Sequence, residues 1–231
     1  MTSLNPIFCA IDTIDMDRAL SLAEDITAAG CCIKLGLEFF NSHGPQGVKK
    51  IQETFPDLPL FLDLKYHDIP NTVAGAIRSI TSHVRPAYLN LHAAGGLKMM
   101  RTAKEACPSE TKLLAVTILT SLDEQSLQEV GYQENLSERV LQMAKLTKQA
   151  GLDGVVCSSH EIEAIRAACG EDFILMVPGI RPAGSDAGDQ KRIMTPREAM
   201  DKGATHLVIG RPITQSDDPK KSAQEILESL K

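Results

Sequence analysis

The chain contains no tryptophan, and aromatic residues make up only 4% of it. Any core must therefore be built from aliphatic side chains, and a hydrophobic share of 43% supplies enough of them. None of the six cysteines (Cys9, Cys31, Cys32, Cys107, Cys157, Cys169) forms a Cys-x-x-Cys pair. That spacing gives no support to a zinc site or to thioredoxin-type chemistry, and thiols inside apolar runs act as small hydrophobes. Basic charge is not in excess either: the formal net charge is −6, which argues against a broad nucleic-acid surface. A few local lysines and arginines can still outweigh that field for a small anion. The opening stretch MTSLNPIFCAIDTIDMD has no basic segment and acquires acids early, unlike a secretory signal. No apolar run approaches the roughly 18 residues that a membrane helix needs. A reduced, cytoplasmic protein with no membrane span is the expectation.

Short apolar runs do recur, at 7–11, 31–35, 59–64, 87–91, 112–118, 154–157, 173–177 and 206–209. Amphipathic segments fill the gaps, such as MDRALSLAEDITAAG at 16–30 and ERVLQMAKLTKQAG at 138–151. Gly30 and Gly151 stand just before a strand and read as helix stops. Eight short, non-alternating strands separated by helices imply a parallel sheet covered on its faces. At about 29 residues per unit, a single-domain (β/α)8 barrel (TIM barrel) over 1–231 fits best. A doubly wound open sheet is the rival, but no G-x-G-x-x-G follows the first strand. Two connections are long, 119–136 and 179–194, and long loops of this kind are commonly functional.

In such a barrel the chemistry sits at the C-terminal ends of the strands. Asp12 closes strand 1, Lys34 lies on strand 2, and Asp63 and Lys65 lie on strand 3. Thr120 and Ser121 follow strand 5, Arg181 follows strand 7, and Gly210 with Arg211 follows strand 8. Asp63 and Lys65 are two apart on one strand, so they face the same way, opposite to Leu62 and Leu64. Buried charge is expensive unless paired. An internal salt bridge that fixes the barrel mouth would explain the pair alone; Lys34 and Asp12 beside it point to a site. Asp68 precedes Pro70, which favours a first helical turn, so its carboxylate could simply complement a helix N-terminus, and Asn71 and Thr72 could be ordinary first-turn residues. Gly210–Arg211 is a candidate phosphate site: the glycine admits an anion to backbone N–H groups, the following helix adds its positive end, and arginine adds a bidentate contact. The alternative is a surface arginine in a turn made by Gly210 and Pro212. His67 and His92 lie near strand ends without a metal partner at helical spacing. His43, His83, His160 and His206 read as surface or packing residues. Ser158–Ser159–His160 lacks the glycines of a nucleophile elbow.

The stretch FLDLKYHDIPNT at 61–72 resembles the signature of the orotidine 5′-phosphate decarboxylase family, with its D-x-K-x-x-D-I-P-x-T core. The resemblance extends over nearly the whole chain, through AID, IKLG, LAVTILTS, VPGIRP with a downstream Gln, and VIGRPI, in that order. Ile11 stands where many members have leucine, a hydrophobic exchange. The resemblance implies a (β/α)8 homodimer with shared active sites. It would convert orotidine 5′-monophosphate to UMP and CO2, the final step of de novo pyrimidine nucleotide synthesis, without cofactor or metal. It also implies roles. Asp12 would bind ribose, and Lys34 would join ribose and the charge network. Asp63 would lie near the leaving carboxylate, and Lys65 would donate the proton. Asp68 and Thr72 would reach into the partner's site. Thr120 or Ser121 would touch the pyrimidine. Arg181, Gln190, Gly210 and Arg211 would hold the phosphate, Gln190 from the closing loop. Two rivals stand beside this reading. One is a metal-dependent sugar-phosphate decarboxylase or aldolase of related barrel type, for which Glu38 could help hold Mg2+. The other is a non-catalytic phosphate-ligand binder on the same barrel.

Overall fold

A computed structural model describes residues 5–133, 135–182 and 194–231. The order is β1 (Ile7–Ile11), α1 (Met16–Ala28), β2 (Cys32–Leu35), α2 (Leu37–Thr54), β3 (Leu60–Tyr66), α3 (Pro70–Thr81), β4 (Tyr88–His92) and α4 (Gly96–Ala106). Then come β5 (Lys112–Val116), α5 (Glu124–Glu129), α6 (Leu136–Gln149), β6 (Gly154–Val156), α7 (Ile162–Cys169), β7 (Ile174–Val177), α8 (Pro196–Asp201), β8 (His206–Ile209), α9 (Arg211–Thr214) and α10 (Pro219–Glu228). Every strand pairs in parallel with its sequence neighbour, and β8 returns to β1, closing the (β/α)8 barrel that the strand count implies. Among the described residues no helix is long and apolar enough to cross a membrane.

Local signals set the helix ends. Asp15 caps α1 by accepting from the N–H groups of Asp17 and Arg18. Thr195 and Glu198 form a reciprocal capping box on α8. Gly30 and Gly151 take positive φ (77° and 81°), which only glycine adopts cheaply, and so end their helices as the sequence suggests. The 119–136 connection carries a helix of its own, α5, with Asp123 at its N-cap.

Period two divides the strand residues into two cores. Ile7, Cys9, Ile11, Ile33, Leu35, Leu60, Leu62, Leu89, Leu91, Leu175 and Val177 pack outward with the helices. Phe8, Ala10, Cys32, Phe61, Tyr88, Leu114, Val116, Val156, Met176 and Val208 form a separate cluster that fills the barrel. Three aromatic rings meet in this interior: Phe8 meets Tyr88 edge-on at 5.4 Å between centroids, and Phe61 at 6.3 Å. Burial pushes the thiols of Cys31 and Cys32 up to about 11 and about 12, so they pack rather than react.

Tyr88 and His206 begin β4 and β8, so they meet near the floor of the barrel, opposite the strand ends. Tyr88 Oη and His206 Nε2 lie 2.8 Å apart, while buried His206 Nδ1 has no hydrogen-bond partner. An imidazolium would carry a second N–H with nothing to accept it, and burial lowers the His206 pKa from 6.5 to about 4. The native state therefore excludes a proton that the unfolded chain takes up. Stability must fall as pH drops from the unfolded value toward the native one, by about 3 kcal/mol for a shift of this size. Urea unfolding between pH 7 and pH 4 should show this loss, and His206→Gln should flatten that part of the curve.

Candidate functional site

Continuing the inward register by two residues places a polar ring on top of the apolar interior. Ala10 leads to Asp12, Cys32 to Lys34, Phe61 to Asp63, Tyr88 to Asn90 and Val208 to Gly210. The same alternation that fills the barrel thus delivers the charges to its mouth. A cavity of about 200 Å3 opens there, lined on its polar side by Lys34, Asp63, Lys65 and Thr120. Phe61, Val116, Ile118, Val156, Pro178 and Val208 give it apolar walls. Its lining is mostly apolar with a few convergent polar groups, the usual character of a small-molecule site.

Asp63 is the hub. It is 7% exposed, and Lys65 Nζ lies 2.6 Å from its Oδ1 while Lys34 Nζ lies 3.3 Å from its Oδ2. Lys34, 8% exposed, also reaches Asp12 Oδ1 at 3.4 Å. Burial alone would raise the Asp63 pKa, but the two ammonium groups and hydrogen bonds from Lys65 and Asn90 hold it below the ordinary carboxylate value. Burial likewise would lower Lys34, yet Asp63 and Asp12 keep it above the ordinary lysine value. Both members are therefore charged near neutral pH. Gly36 makes room for this: a Cβ there would lie 2.9 Å from Lys34 Nζ and 3.3 Å from Asp12 Oδ1.

Lys65 reaches Asp63 by a route that simple alternation does not describe. It is the one non-glycine residue with positive φ (50°) among the described residues. Pairing slips here: β3 spends four residues from Leu62 to Tyr66 while β4 spends two from Leu89 to Leu91. Asn90, fully buried, spans the slip, accepting from Lys65 N at 2.8 Å and donating from Nδ2 to Asp63 Oδ1 at 2.7 Å. Sequence reasoning missed Asn90; its only signal was a lone amide inside the apolar run YLNL. The ring of His92, at the end of β4, lies 5.3 Å from that of His67. Burial, His67 and Lys65 hold the His92 pKa down against the pull of Asp63.

The remaining predicted residues lie around the rim. Asp68 is exposed and accepts from the N–H of Ile69, which is the N-cap of α3, so the carboxylate sits just ahead of the helix. Thr72 is exposed in its first turn. The structure does not join Asp68 or Thr72 to the Asp63 cluster within the chain. Thr120 is half-buried on the cavity wall and Ser121 is exposed. Gly210 is the N-cap of α9 and Arg211 is exposed at its start. Because α9 is a single turn, it offers an anion its first N–H groups rather than an extended macrodipole. Arg181 is buried, with Nη1 donating to the carbonyl of Ile180 at 2.9 Å. Gln190 lies outside the described residues. Glu38 is exposed in the first turn of α2. A wider groove of about 970 Å3 lies between Pro59 and Pro86, residues that precede β3 and β4, away from these groups.

The chain is similar to known proteins in both sequence and fold. A family model described as "Orotidine 5'-phosphate decarboxylase / HUMPS family" matches residues 5–226. A protein from Rhodospirillum rubrum named orotidine 5′-phosphate decarboxylase is 50% identical, over 96% of this chain and 92% of its own. One of the same name from Erythrobacter litoralis is 48% identical over 98% and 99%. Among solved structures, an orotidine 5′-phosphate decarboxylase from Lactobacillus acidophilus superposes with a TM-score of 0.86 at 33% identity, over 98% of this chain and 99% of that one. An uncharacterized conserved protein from Geobacillus kaustophilus gives a TM-score of 0.83 at 33% identity, over 98% and 100%.

The paired burial of Lys34 and Asp63 makes their contributions interdependent. Removing one charge strands the other, so Lys34→Met or Asp63→Leu alone should cost about 3–5 kcal/mol. The double variant should cost clearly less than the sum. A double-mutant cycle by urea unfolding at neutral pH measures the coupling.

Proposed function

The chain belongs to the orotidine 5′-phosphate decarboxylase / HUMPS family, and from that premise we propose that it converts orotidine 5′-monophosphate to UMP and CO2, with Lys65 as proton donor. One observation carries the reading: two ammonium groups converge on one buried, ionised carboxylate at the wall of a slot with apolar faces.

The reaction needs this. Loss of CO2 leaves an electron pair at C6 in the plane of the pyrimidine, orthogonal to the π system, where conjugation cannot spread it. Many decarboxylases use a cofactor as the electron sink. Here the chain's own charges take that part. The Lys65 ammonium beside C6 stabilises the developing carbanion, and its proton then completes UMP. At 4 Å and an effective dielectric near 20, such a contact is worth about 4 kcal/mol. Enzymes lower barriers by roughly 8–23 kcal/mol, so the rest must come from binding and exclusion of water.

Asp63 and Lys34 serve this step by holding Lys65 aimed, and Asp63 would face the leaving carboxylate. Asp12, more than half exposed beyond Lys34, is placed for ribose hydroxyls, with Lys34 between the two tasks. Thr120 takes the pyrimidine edge. Arg211, Gly210, Arg181 and Gln190 take the phosphate. That group is remote from C6, so its binding accelerates the reaction only through ordering of the site. Asp68 and Thr72 work in the partner's site of a homodimer. Their exposure supports this, as does Ile69 between them, which leaves 67% of its surface in solvent. Asp68 would then extend the network as an alternating Lys34–Asp63–Lys65–Asp68 chain with the last member from the other subunit.

Loss of orotidine monophosphate absorbance tests the activity directly. Lys65→Ala should abolish turnover while UMP still binds; near-normal turnover by that variant would defeat the proton-donor role. Arg211→Ala should lower kcat/KM by at least 100-fold, on the order expected for a lost charge-assisted contact and its ordering effect.

A further inference from the structure

Proton transfer from Lys65 depends on where its ammonium stands, and its backbone is poorly suited to hold it. Lysine has no intrinsic preference for φ near 50°, a region that is strained for a residue with a Cβ. The slip between β3 and β4 also takes the Lys65 N–H out of the regular ladder. Something must supply a partner for that N–H and keep the chain in the kink.

Asn90 does both from the neighbouring strand. Its Oδ1 accepts from Lys65 N at 2.8 Å, and its Nδ2 donates to Asp63 Oδ1 at 2.7 Å. The same Asp63 oxygen receives Lys65 Nζ at 2.6 Å. Asn90, the Lys65 backbone, the Lys65 side chain and Asp63 thus close a ring of hydrogen bonds around the kink. An amide suits this position, because one atom accepts from the backbone while its neighbour donates to a carboxylate. Asn90 is 0% exposed and does not line the cavity, so it acts on the reaction only through the groups it holds.

We propose that Asn90 is the positioning residue of the site, the side chain that locks the left-handed turn at Lys65 and aims its ammonium and the Asp63 carboxylate as one unit. This rests on the decarboxylase reading above. Two consequences separate it from a purely structural role. Without Asn90, Lys65 is misplaced but the surfaces that bind nucleotide remain, so kcat falls while binding persists. Asp63 also loses one donor to its ionised form, so protonation of Asp63 begins at higher pH. The titratable groups that face Asp63, namely Lys34 from β2, Lys65 from its own strand and His92 from β4, stay in place; a His92→Gln background keeps that imidazole's own titration out of the profile.

The experiment uses the intact chain, unsubstituted and as two variants, each also in the His92→Gln background, with kcat against pH, KM, UMP affinity and thermal unfolding as readouts. Asn90→Leu removes both hydrogen bonds in a similar volume. It should lower kcat on the order of 100-fold, the scale for a reacting group displaced by about 1 Å, with UMP affinity within a few-fold of wild type. The acid limb of its kcat profile should move toward neutral. Asn90→Asp keeps an acceptor for the Lys65 N–H but sets a second carboxylate against Asp63, so its acid limb should move further. Should Asn90→Leu not fold, Asn90→Asp decides alone. Variants with near-normal kcat, or with an unmoved acid limb and kcat falling in step with UMP affinity, would overturn the assignment. An active wild type with indifferent variants sinks the Asn90 role alone; a wild type that never consumes orotidine monophosphate sinks both it and the activity.

Discussion

Asp63 sits out of water between two ammonium groups, and the geometry of the barrel mouth follows from keeping it ionised there. A carboxylate with 7% exposure would take up a proton if desolvation acted alone. Lys34, Lys65 and Asn90 each supply a donor, and these together outweigh the burial. Lys34 is bound by the same logic from the other side, since it stays charged only because Asp63 and Asp12 face it. The charges are mutually dependent, and none could be buried here by itself.

This arrangement is possible because the barrel beneath it is already complete. The interior below the ring is closed by Phe8, Phe61, Tyr88, Leu114 and Met176, so the polar layer rests on close-packed apolar side chains rather than on water. Distances in a charge network depend on that footing, because a floor that cannot yield transmits no slack to the groups above it. Among the described residues the one non-glycine with positive φ, Lys65, also carries the flexible side chain that meets Asp63. Strain at that point is held by neighbours that are themselves fixed in strands.

Alternation and strand count made the architecture legible from the residues. The eight apolar runs correspond to the eight strands within one or two positions, and the inward phase of each strand predicts which residue emerges at the mouth. Asp12, Lys34 and Asp63 come together for that reason. Lys65 was placed beside Asp63 by period two, and it is there, but through a slip in pairing that the spacing does not encode. Asn90 was not legible because one polar residue in an apolar run looks like any satisfied core amide until its two partners are known. The helix inside 119–136 was hidden because its apolar face is short, with Leu127 as its buried residue. Asp68 and Thr72 stay at the rim of the single chain, and a sequence cannot say what meets them there.

An ion pair of this kind is a poor way to stabilise a protein. Well-packed apolar residues in place of Lys34 and Asp63 would be neutral or better for folding, because no charge would need desolvating. Asn90 and the strained turn at Lys65 add to the cost, as polar atoms and unfavourable dihedrals that an apolar barrel top would not need. What the apolar alternative lacks is a fixed positive charge at the edge of a water-poor slot. In the proposed reaction a flexible lysine in solvent would have to shed water and find its orientation, whereas a lysine already held by Asp63 would have that reorganisation completed during folding. On the proposed function, stability and chemistry therefore pull in opposite directions at the same residues, and the charges at the mouth serve the second.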